Sequence, residues 1–130
     1  MRYLIVGGYA FAFHVKPRYT KDIDIFVEPG EENAVHVLQA LADFGFGDLH
    51  LTTDAFAEGQ IVQLGVVPHR IDLITRIAAV SFQDAWSSRA SGAYMDVPVH
   101  YIGREALIRN KDAFARPQDL VDLEALREAL

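Results

Sequence analysis

The segment Arg18-Tyr19-Thr20-Lys21-Asp22-Ile23-Asp24-Ile25-Phe26-Val27 places two aspartates one residue apart inside an apolar, β-branched run. Such a run reads as a strand, in which successive side chains take opposite faces. Asp22 and Asp24 then share one face, and Ile23 and Ile25 the other. At the usual strand rise their Cα atoms lie about 6.6 Å apart. Both carboxylates can therefore lean on a pair of divalent ions about 3.5–4 Å apart. On a helix the same spacing would point them to nearly opposite sides. Like charges on one strand face repel, and a bound cation is the simplest reason to keep them.

The residues before the pair sharpen this reading. Arg2 to Val6 reads as a buried strand, broken by Gly7-Gly8 and followed by an apolar stretch from Tyr9 to Val15. A strand, a double glycine and a helix start let backbone N–H groups approach an anion, which the helix N-terminus also favours. A double glycine alone usually marks only a tight turn. Joined to two same-face aspartates on the next strand, it points to a phosphate-holding site.

Leu4-Ile5-Val6-Gly7-Gly8 followed by Arg18-x-Thr20-x-Asp22-x-Asp24 resembles the signature of the DNA polymerase β-like nucleotidyltransferase superfamily. The resemblance is strongest to its small bacterial members, among them the abortive-infection (type IV toxin-type) nucleotidyltransferases. In its double glycine the chain is also similar to the tRNA CCA-adding enzymes. The resemblance spans nearly the whole chain. It implies an α/β (α+β) fold: a mixed β-sheet flanked by helices, with a helical C-terminus. It further implies a third carboxylate on a later strand.

A chain of 130 residues suits one domain, taken here as 1–130, large enough to bury a core without staples. Hydrophobic residues make up 51% and charged residues 23%, a globular balance rather than a disordered or membrane one. There is no cysteine, hence no disulfide framework, thiol nucleophile or thiolate metal site, which fits a cytoplasmic protein. The formal charge of −6 argues against holding nucleic acid by general phosphate attraction. An acidic protein still binds nucleotides where metal ions mediate the contact. The apolar run Tyr3 to Phe13 looks superficially like a signal-peptide core, but its double glycine and following strand are better explained as above. No stretch reaches the roughly 20 apolar residues needed to span a membrane.

Farther along, Pro29-Gly30 is a turn, and Glu31 to Phe44 reads as a helix with the stripe Ala34, Val35, Leu38, Leu41 and Ala42, stopped by Gly45. Residues 45–59 read as loop with a short helical turn near Asp54 to Glu58. Gln60 to Val66 and Arg70 to Thr75 are strands joined across Val67-Pro68-His69. Asp72 sits in the second of these, on the same face as Arg70 and Ile74. As a structural residue it pairs with Arg70 or a neighbouring arginine. The resemblance instead implies that it is the third carboxylate, beside Asp22 and Asp24.

Ser81 to Ala90 reads as a helix with Ser81 as N-cap and Asp84 three residues on, and Trp86 as a core residue. Ser91-Gly92-Ala93 breaks the chain, and Val97 to Ile102 is a strand that Pro98 relegates to the sheet edge. Asp96 and His100 read as surface residues. Two helices follow, from Glu105 to about Ala113 and from Pro117 to Leu130, the latter with an apolar stripe of Leu120, Leu123, Ala125, Leu126 and Leu130. The polar side carries Lys111, Arg116, Asp119 and Asp122, in a Lys-x4-Arg-x2-Asp-x2-Asp pattern that resembles the C-terminal motif of the toxin-type enzymes. Gln118 stands where that motif commonly has lysine. A solvated ion-pair face and a nucleotide-positioning role are both open for Asp119 and Asp122. The five histidines show no ligand spacing, and there is no Walker loop or nucleophile elbow.

The resemblance implies metal-assisted transfer of a nucleoside monophosphate from a nucleoside triphosphate to a hydroxyl. Asp22, Asp24 and Asp72 would be catalytic and would hold two Mg²⁺ ions. Gly7 and Gly8 would bind the nucleotide phosphates, with Arg18, Thr20, Lys21, Lys111, Arg116, Asp119 and Asp122 completing the nucleotide site. The acceptor would be a tRNA end, a protein hydroxyl or a small molecule such as an aminoglycoside or lincosamide. Many relatives have a serine where Gly8 stands, and relatives usually carry a helix before the first strand, which leaves room for a truncated start, a partner protein or a homo-oligomer. The competing expectation is a non-catalytic nucleotide-binding or toxin–antitoxin module of the same fold.

Overall fold

The computed structural model describes residues 1–18, 22–65 and 70–129. The expected nucleotide contacts Thr20 and Lys21, the end of one strand at Val66, the connection at Val67, Pro68 and His69, and Leu130 lie outside them. The apolar, β-branched stretches pair as strands β1 (Tyr3–Val6), β2 (Ile23–Val27), β3 (Ile61–Leu64), β4 (Ile71–Ile74), β5 (Ala90–Tyr94) and β6 (Val97–Tyr101). They form one mixed sheet in the order β3-β4-β2-β1-β6-β5. The helices are α1 (Gly7–His14), α2 (Glu31–Asp43), α3 (Phe82–Ser87), α4 (Arg104–Phe114) and α5 (Pro117–Glu128). This is the α/β arrangement expected from the sequence.

The two faces of the sheet bury different residues. On one, Val27, Leu64 and Leu73 pack with Ala34 and Val37 of α2 and with Phe56 from a 3₁₀ turn at Thr53–Phe56. On the other, Leu4, Val6 and Phe26 meet Ala10 and Phe11 of α1, Phe82 and Ala85 of α3, Leu107 of α4 and Leu126 of α5. The α2 stripe differs from expectation: Val37 is buried, whereas Val35 is 54% exposed. Asn33 is also buried, because its amide donates to the carbonyls of Arg2 and Glu28 while its oxygen accepts from the Arg2 N–H. A polar side chain so satisfied loses little on burial.

Two sequence expectations are corrected near the C-terminal half of the sheet. Residues 90–94 are a strand, not a helix end and a break; α3 stops at Ser87, although Ser81 does cap it, accepting from the Asp84 N–H at 3.1 Å. β5 lacks β-branched residues, and its smallness is what lets it pair there. A Cβ on Gly92 would lie 2.5 Å from a ring carbon of Phe13, which stacks on Tyr101 with centroids 4.2 Å apart. Met95 and Asp96, both at positive φ, turn β5 back into β6. On this side of the sheet the edge strand is β5, and β6 lies one place in. Pro98 is tolerated because β6 pairs with β1 at Tyr101, leaving the stretch around Pro98 paired only to β5.

The register of β2 carries the most consequence. It runs antiparallel to β1, opposing Val6 and Asp24, and parallel to β4, opposing Asp24 and Asp72. The end of β1, and with it Gly7, is thereby brought beside the two aspartates. Gly7 makes the turn into α1 at φ 65°, and a Cβ there would lie 2.5 Å from Asp24 Oδ2. Only glycine fits both the backbone and the space. Gly7→Ala should lower stability by about 1–2 kcal/mol from the left-handed backbone alone, and it should turn the Asp24 carboxylate away from the turn. Urea denaturation checks the first; a chemical-shift change at Asp24 larger than at Asp72 checks the second.

Candidate active site

Asp24 stands at the centre of the carboxylates. Burial raises its pKa, and the neighbouring Asp72 and Asp22 carboxylates add to that, together with a hydrogen bond to Asp72 that only protonated Asp24 can donate; Arg70 acts in the opposite direction. The result is about 6. The three aspartates expected from the sequence are thus neighbours on adjoining strands.

Arg70, just before β4 and two residues from Asp72, joins the other two. Its Nη2 donates to Asp22 Oδ2 at 3.0 Å and to Asp72 Oδ2 at 3.3 Å. Its Nε lies 3.1 Å from Asp72 Oδ1, at an angle that makes the contact an ion pair rather than a hydrogen bond. The structural pairing foreseen for Asp72 therefore exists alongside its place in the triad. Among the described residues no group of three His, Cys, Asp or Glu side chains is arranged as a ready-made metal-ion site. Even so, the donor set fits a hard divalent cation: Asp22 Oδ1 and Asp72 Oδ1 are buried without a hydrogen-bond partner, and burial together with the Asp72 and Asp22 carboxylates raises the pKa of Asp24.

The C-terminal motif forms a second, cation-rich cluster. Asp119 and Asp122 face inward from α5, each 1% exposed, while Leu120 is 55% exposed. The solvated ion-pair face and the Leu120 stripe position are both corrected: inward cations, not solvent, neutralise the aspartates. Lys111 Nζ reaches Asp122 at 2.9 Å and Asp119 at 3.7 Å. Arg18 grips Asp122 with two nitrogens, at 2.8 and 3.3 Å, and Gln118 donates to the same carboxylate at 3.0 Å. Arg116 Nε bonds Asp119 at 2.6 Å, and the Arg116 N–H donates to the same oxygen, which caps α5. For Asp122, burial pushes the pKa up, but Arg18 and Lys111 outweigh it and hold the carboxyl below its ordinary value. The Arg116 hydrogen bond lowers that of Asp119 against its burial.

A cleft of about 530 Å³ connects the two clusters. Gly7, Asp24, Lys111, Arg116 and Asp119 all line it, with apolar walls from Ile61, Ile74, Ile77, Leu107 and Phe114. Gly8, Arg18, Asp22, Asp72 and Asp122 do not line it; Asp22 and Asp72 adjoin it through Asp24, Asp122 through Lys111, and Arg18 stands behind Asp122. Sequence reasoning missed Asn110, Arg76 and Phe114, which lie on the cleft, and no spacing marks them. Asn110 does carry a structural signal, since its amide donates to the Ala78 carbonyl and ties α4 to the loop after β4. His100 is not a surface residue: its ring stands between Tyr3 and Trp86. No helix among the described residues is long and apolar enough to cross a membrane.

This sheet order, with Asp24 on β2, Asp22 just before it and Asp72 on β4, is the nucleotidyltransferase fold. The chain is similar in structure to the lincosamide antibiotic adenylyltransferase LnuA in its lincomycin-bound crystal structure, with a TM-score of 0.56 and 14% identity over 99% of this chain and 87% of that one. It is also similar to an antigenic nucleotidyltransferase-like protein from Paracoccidioides brasiliensis, with a TM-score of 0.55 and 14% identity, covering 96% of this chain and 66% of that one. No family model matches the sequence, and neither does any curated protein.

Two predictions follow from the opposite electrostatics of the clusters. Folding raises the pKa of Asp24, so the stability its proton contributes is fully present below about pH 4 and is lost as the pH rises through about 6. In chelator, Asp24→Asn should therefore be more stable than wild type near pH 7.5, by about 1 kcal/mol after solvent screening, with the gain shrinking towards pH 5. Denaturant melts at both pH values measure this; a loss of stability at high pH would contradict it. Asp122→Ala strands the buried Lys111 ammonium, and should cost about 3 kcal/mol in the same assay.

Proposed function

We propose that this protein is a metal-dependent nucleotidyltransferase, moving a nucleoside monophosphate from a nucleoside triphosphate to a hydroxyl acceptor. The observation that carries the reading is the convergence of Asp22, Asp24 and Asp72 beside the Gly7 turn, in a chain of nucleotidyltransferase fold. Asp22 and Asp24 would hold two Mg²⁺ ions, with Asp72 sharing one. When bound, such ions polarise the α-phosphate and make the acceptor hydroxyl more acidic. Asp72 would then accept the hydroxyl proton. The N–H groups of Gly7 and Gly8 open α1, whose start has no side-chain cap, and would donate to the β- and γ-phosphates.

Lys111 and Arg116 enter the cleft from the other side, where they would face phosphate oxygens. Asp119 and Asp122 keep these cations in place, and Asp122 orients Arg18 behind them. Thr20 and Lys21 belong to the same proposed nucleotide site. The apolar walls would take the base and the acceptor and keep water from the reacting phosphorus. With a net charge of −6, a small hydroxylated acceptor suits this cleft better than a tRNA end, and a lincosamide is one candidate, lincomycin being the ligand bound in LnuA. We further propose that residues 1–130 act as one domain in the cytoplasm. Kinship with the toxin-type branch, and a partner protein or second copy, belong to the same proposal.

A second reading, a nucleotide-binding module without turnover, is favoured by one observation: Arg70 already neutralises Asp22 and Asp72. Two experiments decide between them. Calorimetry with ATP, CTP, GTP and UTP should show weak binding in chelator and tighter binding with Mg²⁺. Incubation with each α-labelled triphosphate, Mg²⁺ and a panel of tRNA, protein and small-molecule acceptors should label one class. Asp22→Asn or Asp24→Asn should lower that transfer by about 100-fold or more while the fold persists. Metal-dependent binding with no labelled product would establish the binding module instead.

A further inference from the structure

Among the described residues, Arg70 is the cation placed between Asp22 and Asp72, and the proposed chemistry assigns it no task. Its guanidinium is a rigid fork of donors on a side chain 31% exposed, and it spans two carboxylates on different strands. A carboxylate oxygen engaged at 3.0–3.3 Å by a guanidinium points its lone pairs at nitrogen. Asp22 Oδ1 and Asp72 Oδ1 keep lone pairs without a hydrogen-bond partner, but a small divalent ion drawn to them at about 2.0–2.1 Å would stand close against the guanidinium. Like charges that close repel. A cation therefore settles fully among the carboxylates only as Arg70 releases at least one of them.

We infer that Arg70 is a positioning residue that holds Asp22 and Asp72 in a cation-excluding arrangement until a nucleotide arrives. The inference rests on the metal-binding reading of the aspartates and deepens it. A metal ion alone would displace the guanidinium into water with nothing in exchange. A metal ion arriving with a triphosphate offers the released planar fork pairs of phosphate oxygens that accept bidentately. Metal and nucleotide then bind with positive coupling, and the free protein does not hold its metal. Two buried carboxylate oxygens without a hydrogen-bond partner, on carboxylates whose other oxygens a guanidinium engages, are the arrangement such a device produces.

The test is titration with Mn²⁺ alone, followed by calorimetry and by the metal's electron paramagnetic resonance signal, so that no turnover is involved. Arg70→Gln should bind Mn²⁺ about ten-fold more tightly than wild type without nucleotide, and should lose most of the gain in metal affinity that a non-hydrolysable triphosphate confers on wild type. Arg70→Lys keeps the charge but not the fork and should fall between the two. Should Arg70→Gln fail to fold in chelator, the Lys variant decides, and equal Mn²⁺ affinity in it and wild type overturns the inference. Mn²⁺ binding that is equal or weaker in Arg70→Gln overturns it as well. If those affinities are equal yet Asp24→Asn abolishes binding, Arg70's role fails and the metal-binding reading stands. If neither wild type nor Arg70→Gln binds Mn²⁺, both fail together.

Discussion

Backbone hydrogen bonding between β2 and its two neighbours is the constraint on which the site depends. A strand register moves in steps of one residue, and each step sends every side chain to the opposite face. Opposing Val6, Asp24 and Asp72 across three strands is therefore an all-or-none arrangement. The apolar residues of those strands enforce it, since Phe26 and Leu4 must enter one core while Val27 and Leu73 enter the other. Apolar burial, worth about 25 cal/mol per Å², thereby positions charged groups that repel one another. The energy that assembles the carboxylates comes from elsewhere in the sheet.

The two charged clusters show how neighbours rather than residue type set a carboxyl group's chemistry. Asp119 and Asp122 are almost fully enclosed, yet their pKa values are lowered, because Arg116 bonds one and Arg18 and Lys111 bond the other. Asp24 is less enclosed, yet its pKa rises to about 6, because burial raises it and the Asp72 and Asp22 carboxylates add to that, with only Arg70 acting against them. One cluster is complete within the protein and acts as a brace between α4, α5 and the segment before β2. The other retains unsatisfied oxygens and leaves room for a cation. The cleft thus has a braced cationic wall on one side and a carboxylate wall on the other, the contrast on which the proposed function rests.

The motifs near the N-terminus were legible because the information in them is local. The alternation in Asp22-Ile23-Asp24-Ile25 defines a face, and a glycine pair after a buried strand defines a turn, whatever the rest of the chain does. The helix limits followed from similarly local signals, as at Pro117 and at Ser81. Errors arose where the deciding partner is remote. Gly92 looked like a break, but β5 exists because Phe13 of α1 fills the space its missing side chain leaves. Leu120 looked like a core residue, but the cations of Lys111 and Arg18 turn the aspartate side of α5 inward instead.

By itself, the sequence determined the α/β class and the strands that carry Asp24 and Asp72. These depend on period and residue type over a few neighbours. Only the tertiary structure decided that Asp72 lies opposite Asp24, that Gly7 must be glycine because Asp24 crowds it, and that Arg70 bridges Asp22 and Asp72. It alone decided that Lys111 and Asp119 share a cleft with Asp24. Each of these joins residues far apart in the chain. Their meeting is set by how the strands order themselves and which faces bury, and no local pattern encodes that.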